Sequence, residues 1–136
     1  MTMINAEIIA TIKSGHLSNI FEGIKKVELR KTVPHGGLPF KVYWCESGSG
    51  GKIKGESIIY RFDYLTADQI IADAQLFSMT GVTEEQLRSY AKDKPVYVWH
   101  ILRTLVYPAD IPFYRKSVGD FGLTRPPQSW CYVEEV

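Results

Sequence analysis

Two long β-type runs, residues 52–62 and 94–104, constrain this chain more than any other feature. The second is apolar at nearly every position, the pattern of a central strand buried on both faces. The first contains Gly55, which marks a bulge or a close backbone approach. Residues 6–12, 26–31 and 40–46 read as further strands, and strict alternation in 26–31 would line up Lys26, Glu28 and Arg30 on one face. The sheet is thus built from segments scattered over the whole chain.

Helices interrupt the strands at two places. Over about residues 15–22, Leu17, Ile20, Phe21 and Ile24 fall at i, i+3, i+4, i+7, with Ser14 as a cap and Gly23 suited to the residue just past the end. Between the two long runs, Thr66-Ala-Asp-Gln69 and Thr83-Glu-Glu-Gln86 are capping boxes. The first opens a helix with Ile70, Ile71, Ala74 and Phe77 as its apolar stripe; the second turns Leu87 and Tyr90 inward. This insert is acidic and covers a sheet face or offers a surface to a protein partner.

Residues 33–39 are a loop on turn chemistry, and the Gly-Ser tract 47–51 is a mobile hairpin connection. No helix pattern or Gly-Lys-Ser/Thr follows that tract, so it is not a phosphate loop. Residues 105–125 read as loop. Pro126-Pro127 then leads into Trp130-Cys-Tyr132. The order β–α–β–β–β–αα–β–β is α+β, with a mostly antiparallel sheet that can curl into a barrel, in a single domain over residues 1–136.

An apolar share of 45% and a charged share of 23% are globular values. The apolar runs are too short to span a membrane and the start lacks a signal-peptide layout, so the expectation is a cytoplasmic protein. Cys45 and Cys131 lack CxxC spacing and read as reduced thiols. With three histidines they show no metal-ligand spacing, so neither metal nor cofactor is expected. Residues 1–60 hold eight Lys/Arg against five Asp/Glu, residues 61–136 eight against ten. The basic cluster around Lys25, Lys26, Arg30 and Lys31 is either a solvated sheet face or a modest phosphate-contacting patch.

The ordered set Thr11-Ile-Lys13, Ile20 through Arg30, Lys54-Gly-Glu56 and Pro126-Pro-Gln-Ser-Trp130 resembles the ASCH domain, a PUA-like pseudo-barrel family. The resemblance implies a mixed, mostly antiparallel β pseudo-barrel with short flanking helices. It also implies a cleft beside the first helix that binds RNA or a nucleoside or nucleotide. Some small relatives are amidohydrolases that deacetylate N4-acetylcytidine through a Lys-Thr-x-Thr segment and a separate Glu. Lys25 matches that lysine. Lys26 and Glu28 stand where the threonines would be, so the catalytic hydroxyl is missing.

Amide hydrolysis needs a base for water and a donor for the developing oxyanion. Lys25 and Glu28 are the candidate catalytic pair, but alternation places them on opposite faces. They share a pocket only if Lys25 lies in the turn after Gly23. Candidate ligand contacts are Lys13, His16, Lys26, Arg30, Gln128, Ser129 and Trp130. His100, in an apolar strand, reads as a satisfied core histidine, and His35 as a loop residue. Tyr43, Trp44 and Tyr60 are expected in the core.

Overall fold

The computed structural model describes residues 4–108 and 116–133. Its framework is an antiparallel pair of long strands, β4 (Lys52–Leu65) and β5 (Val96–Val106). β2 (Val27–Arg30) pairs antiparallel with β5, and β3 (Phe40–Glu46) antiparallel with β4. On the far side of β3, β1 (Ala6–Ile12) runs parallel to it and is covered by antiparallel β7 (Trp130–Tyr132). The two-residue β6 (Lys116–Ser117) pairs with the start of β4. The strand order β2-β5-β4-β3-β1-β7 leaves β2 and β7 as the two ends of a mixed, mostly antiparallel sheet. That sheet curls into a half-barrel of the expected α+β type.

Period-two alternation sorts the side chains into separate cores. Inside the curl, Ile8, Ala10 and Ile12 of β1 meet Phe40, Val42, Trp44 and Trp99. Helix α1 (Ser14–Phe21) plugs this space with Leu17 and Ile20, both almost wholly buried. On the outer face Val27, Leu29, Val96 and Val98 pack under Ile70 of α2 (Ala67–Ala72), Leu76 of α3 (Ala74–Thr80), and Leu87 and Ala91 of α4 (Glu84–Ala91). A third cluster joins Ile9, Tyr43 and Ile53 to Tyr107, Val118 and Phe121.

Several sequence expectations are corrected. Lys13, not Ser14, occupies the cap position of α1, and no side chain caps that end. The helix opened by Thr66 breaks at Asp73, whose carboxylate accepts from Leu76 N at 3.0 Å and starts α3. A mid-helix Asp prefers this role because its side chain competes for backbone donors. β5 is buried only from Val96 to His100, apart from the half-buried Tyr97; Leu102, Leu105 and Val106 are exposed, so it is not sandwiched along its length. Tyr60 is likewise exposed, whereas Tyr43 and Trp44 lie in the core. Within the expected loop 105–125, β5 reaches Val106, and β6 and a 3-10 turn (Val118–Phe121) follow; residues 109–115 lie outside the described residues.

Gly55 fulfils both sequence readings. Trp44 opposes Gly55 while Cys45 opposes Ile53, leaving Lys54 as the extra residue of a bulge. A Cβ built on Gly55 would sit 2.6 Å from the Leu105 carbonyl oxygen and 2.8 Å from Phe21 Cζ. Replacing Gly55 by Ala therefore forces backbone apart and should destabilise the fold by about 1–3 kcal/mol in urea unfolding. Gly15→Ala, with nothing within 4 Å in α1, should instead stabilise by about 0.5–1 kcal/mol.

Candidate functional site

Alternation in β2 sends Val27 and Leu29 to the helices and Glu28 and Arg30 to the inside of the curl. Lys25 joins them from another route. Gly23, at φ 76°, ends α1, and the amides of Ile24 and Lys25 both donate to the Asn19 carbonyl at 2.9 and 3.0 Å. Lys25 thus lies in the turn ahead of the strand, and its ammonium comes within 3.7 Å of Glu28 Oε1. The same ammonium donates to the Thr80 carbonyl at the end of α3. Gly81, at φ 66°, lets the chain turn there; a Cβ at that position would press to 3.3 Å from Lys25 Cβ.

Arg30 is the most connected side chain of the site. Its Nε and Nη2 donate to Glu28 Oε2 at 3.2 and 2.9 Å. Nη2 also donates to the Thr11 carbonyl at 3.0 Å, and Nη1 to Ser129 Oγ at 3.3 Å. The Trp99 ring lies beneath it, 5.9 Å from the guanidinium carbon. Lys25, Glu28 and Arg30 are all buried, at 2%, 5% and 8% exposure.

Burial alone would raise the Glu28 carboxyl, but Arg30 and then Lys25 outweigh it, and the group lies below its ordinary 4.5. Burial pushes Lys25 below 10.5, with Glu28 opposing only in part. His16, half-buried above the group, is lowered from 6.5 by burial and then by Lys25. The result is a carboxylate that stays ionised further into acid than a free one, held between Arg30 and Lys25.

Above this group opens a cleft of about 890 Å³, walled by α1 and the end of β1, by Lys31 and Thr32 after β2, and by one side of α4. Lys13, His16, Lys25, Glu28, Arg30, Gln128 and Ser129 all line it. Two expected residues do not. Lys26 is exposed outside the cleft, because β2 begins only at Val27 and the Lys26 backbone is tied to Met79 and Ile101. Trp130 packs against the inner core, with its Nε1 donating to Thr32 Oγ1 at 2.9 Å.

The α4 wall was not anticipated. Glu85, Gln86, Ser89 and Tyr90 line the cleft, and Tyr90 is exposed rather than turned inward. Only Leu87 and Ala91 of this eight-residue helix are buried, so its apolar stripe is one residue wide and Tyr90 lies beside it. His100 is a satisfied core histidine, with Nε2 2.7 Å from Asp63 Oδ2. Among the described residues no group of three His, Cys, Asp or Glu could hold a metal ion.

No family model matches the sequence, and no curated protein does either. Solved structures do. The ASCH protein from Zymomonas mobilis superposes with a TM-score of 0.78 at 13% identity, covering 96% of this chain and 90% of that one. Two single-residue variants of that protein match with the same TM-score at 12% and 13% identity. The chain therefore has the fold of an ASCH domain, as the ordered sequence segments implied.

Because the Glu28 carboxyl is depressed in the folded state, its contribution to stability is complete above 4.5 and is lost as pH falls through the folded value. Glu28→Gln leaves two buried cations uncompensated and should cost about 3–5 kcal/mol at neutral pH. Denaturant unfolding from neutral to acid pH checks both, since the difference between wild type and variant should shrink in acid.

Proposed function

We propose that this ASCH-type domain binds single-stranded RNA, or a nucleotide presenting the same base and phosphate, in the cleft over Lys25, Glu28 and Arg30. The observation that carries this reading is the charge layout. Four cations, Lys13, Lys25, Arg30 and Lys31, line the cleft against two carboxylates, Glu28 and Glu85. The buried carboxylate is already matched by Arg30 and Lys25, whereas Lys13 and Lys31 are exposed at the rim. Phosphates at the rim release counterions, while Gln128, Ser129 and His16 offer polar edges to a base inside.

The test is a titration with a short uracil oligonucleotide from low to physiological salt, beside uridine monophosphate. Binding should weaken with salt, and Lys13→Ala and Lys31→Ala should each reduce the slope by about 0.7 if each contacts one phosphate. Lys26→Ala, outside the cleft, should leave the slope unchanged. Absence of binding to either ligand at low salt overturns the reading; binding of the mononucleotide alone restricts it to free nucleotides.

The 3.7 Å approach of Lys25 to Glu28 favours a second reading, hydrolysis of an acylated nucleoside such as N4-acetylcytidine. Glu28, ionised, would take a proton from water as its oxygen adds to the acetyl carbonyl, with the Lys25 ammonium donating to the oxyanion. Collapse breaks the bond from the acetyl carbon to N4 as that proton passes to N4, releasing cytidine and acetic acid, which loses its proton to solvent. Glu28 is a weak base because both its oxygens already accept hydrogen bonds or face a cation, so turnover should be slow. Following cytidine release with wild type and Lys25→Ala decides this; turnover insensitive to that replacement removes the pair from the chemistry.

A further inference from the structure

We infer that Tyr90 is the stacking platform for the base, with Lys31 exchanging from its ring to the adjoining phosphate when the ligand enters; this rests on the nucleotide-binding reading above. Tyr90 lies on the cleft side of α4 and keeps 37% of its surface exposed. An exposed aromatic ring in the wall of a polar cleft offers a flat apolar surface that every base can cover. Lys31 Nζ stands 4.8 Å from the ring centroid, so a cation lies over the ring. A cation–π contact at such an exposed site is weaker than base–aromatic stacking, so a base can displace the ammonium. The displaced Lys31 then sits beside the base, where the phosphate is.

The surrounding charges set the direction of the ligand. Glu85 shares the α4 wall with Tyr90, and Lys13 lines the same cleft from the start of α1. A phosphate is repelled by Glu85 and drawn to Lys13 and to Lys31, leaving the base to cover the Tyr90 ring. Gln86 strengthens this arrangement: its side-chain carbonyl accepts from Thr83 N at 2.9 Å, so its amide hydrogens remain as donors on the same wall. The burial of Tyr90 and the nearby Glu28 raise its hydroxyl above 10.0 although Arg30 opposes, so the ring stays neutral at physiological pH.

The experiment compares a short uracil oligonucleotide with an abasic strand of equal length, using wild type, Tyr90→Ala and Tyr90→Phe. Wild type should bind the base-bearing strand about five- to a hundredfold tighter than the abasic one. Tyr90→Ala should erase that difference while retaining salt-dependent binding of both strands, which an unfolded variant would lose, and Tyr90→Phe, which keeps the ring, should retain the difference. Uridine monophosphate against ribose 5-phosphate repeats the comparison for a free nucleotide. A preference for the base-bearing strand that survives Tyr90→Ala overturns the platform and leaves the cleft reading standing. Equal binding of both strands by wild type also overturns the platform, and failure of wild type to bind either strand removes the cleft reading itself.

Discussion

The guanidinium of Arg30 holds the open side of the half-barrel together. β2 and β7 are the terminal strands of the sheet, and no ladder hydrogen bonds join them. Arg30 crosses that gap from β2 to the Thr11 carbonyl of β1 and to Ser129 just ahead of β7. Trp130 Nε1 to Thr32 Oγ1 and the His35 amide to Tyr132 Oη continue the seam at 2.9 and 2.6 Å. A seam closed by side chains keeps polar groups of Arg30, Ser129 and Thr11 beside the cleft.

Arg30 can serve there only because Glu28, two residues earlier on the same face, compensates its burial. Lys25 adds a second basic group from the turn, where the Thr80 carbonyl accepts from it and Gly81 leaves room for it. The interior group thus draws on the connection between α3 and α4, on α1 and on three strands. Structure and site are the same atoms. Loss of the carboxylate would be felt as unfolding and as disorder of the cleft lining together, since a buried pair with one partner removed leaves an uncompensated charge.

Most strands and α1 were legible because each follows its own periodicity: β1 and β3 alternate between two different cores, and α1 repeats Leu17, Ile20 and Phe21. The route of Lys25 was legible as a condition set by Gly23. What lay beyond reading were contacts between residues far apart in the chain. Nothing near Arg30 announces Ser129, 99 residues later, and the Thr80 carbonyl that receives Lys25 has no side-chain signature. Tyr90 was misplaced because a helix of eight residues has room for only two buried positions, and a Tyr next to such a stripe satisfies an inward or an outward reading equally. Lys26 failed for a local reason: alternation was extended one residue before the strand begins.

The parallel pairing of β1 with β3, capped on its other edge by β7, has a consequence for the order in which the molecule assembles. During synthesis β1 emerges first, yet its second neighbour consists of residues 130–132. Until those residues leave the ribosome, one edge of β1 presents unpaired amides and carbonyls, and Arg30 lacks its anchor at Ser129. The outer core of β2, β5 and the three helices is contained between residues 27 and 98 and can form meanwhile. The cleft therefore closes after the outer core can, because the contact of Arg30 with Ser129 and the pairing of β1 with β7 both wait on residues 129–132.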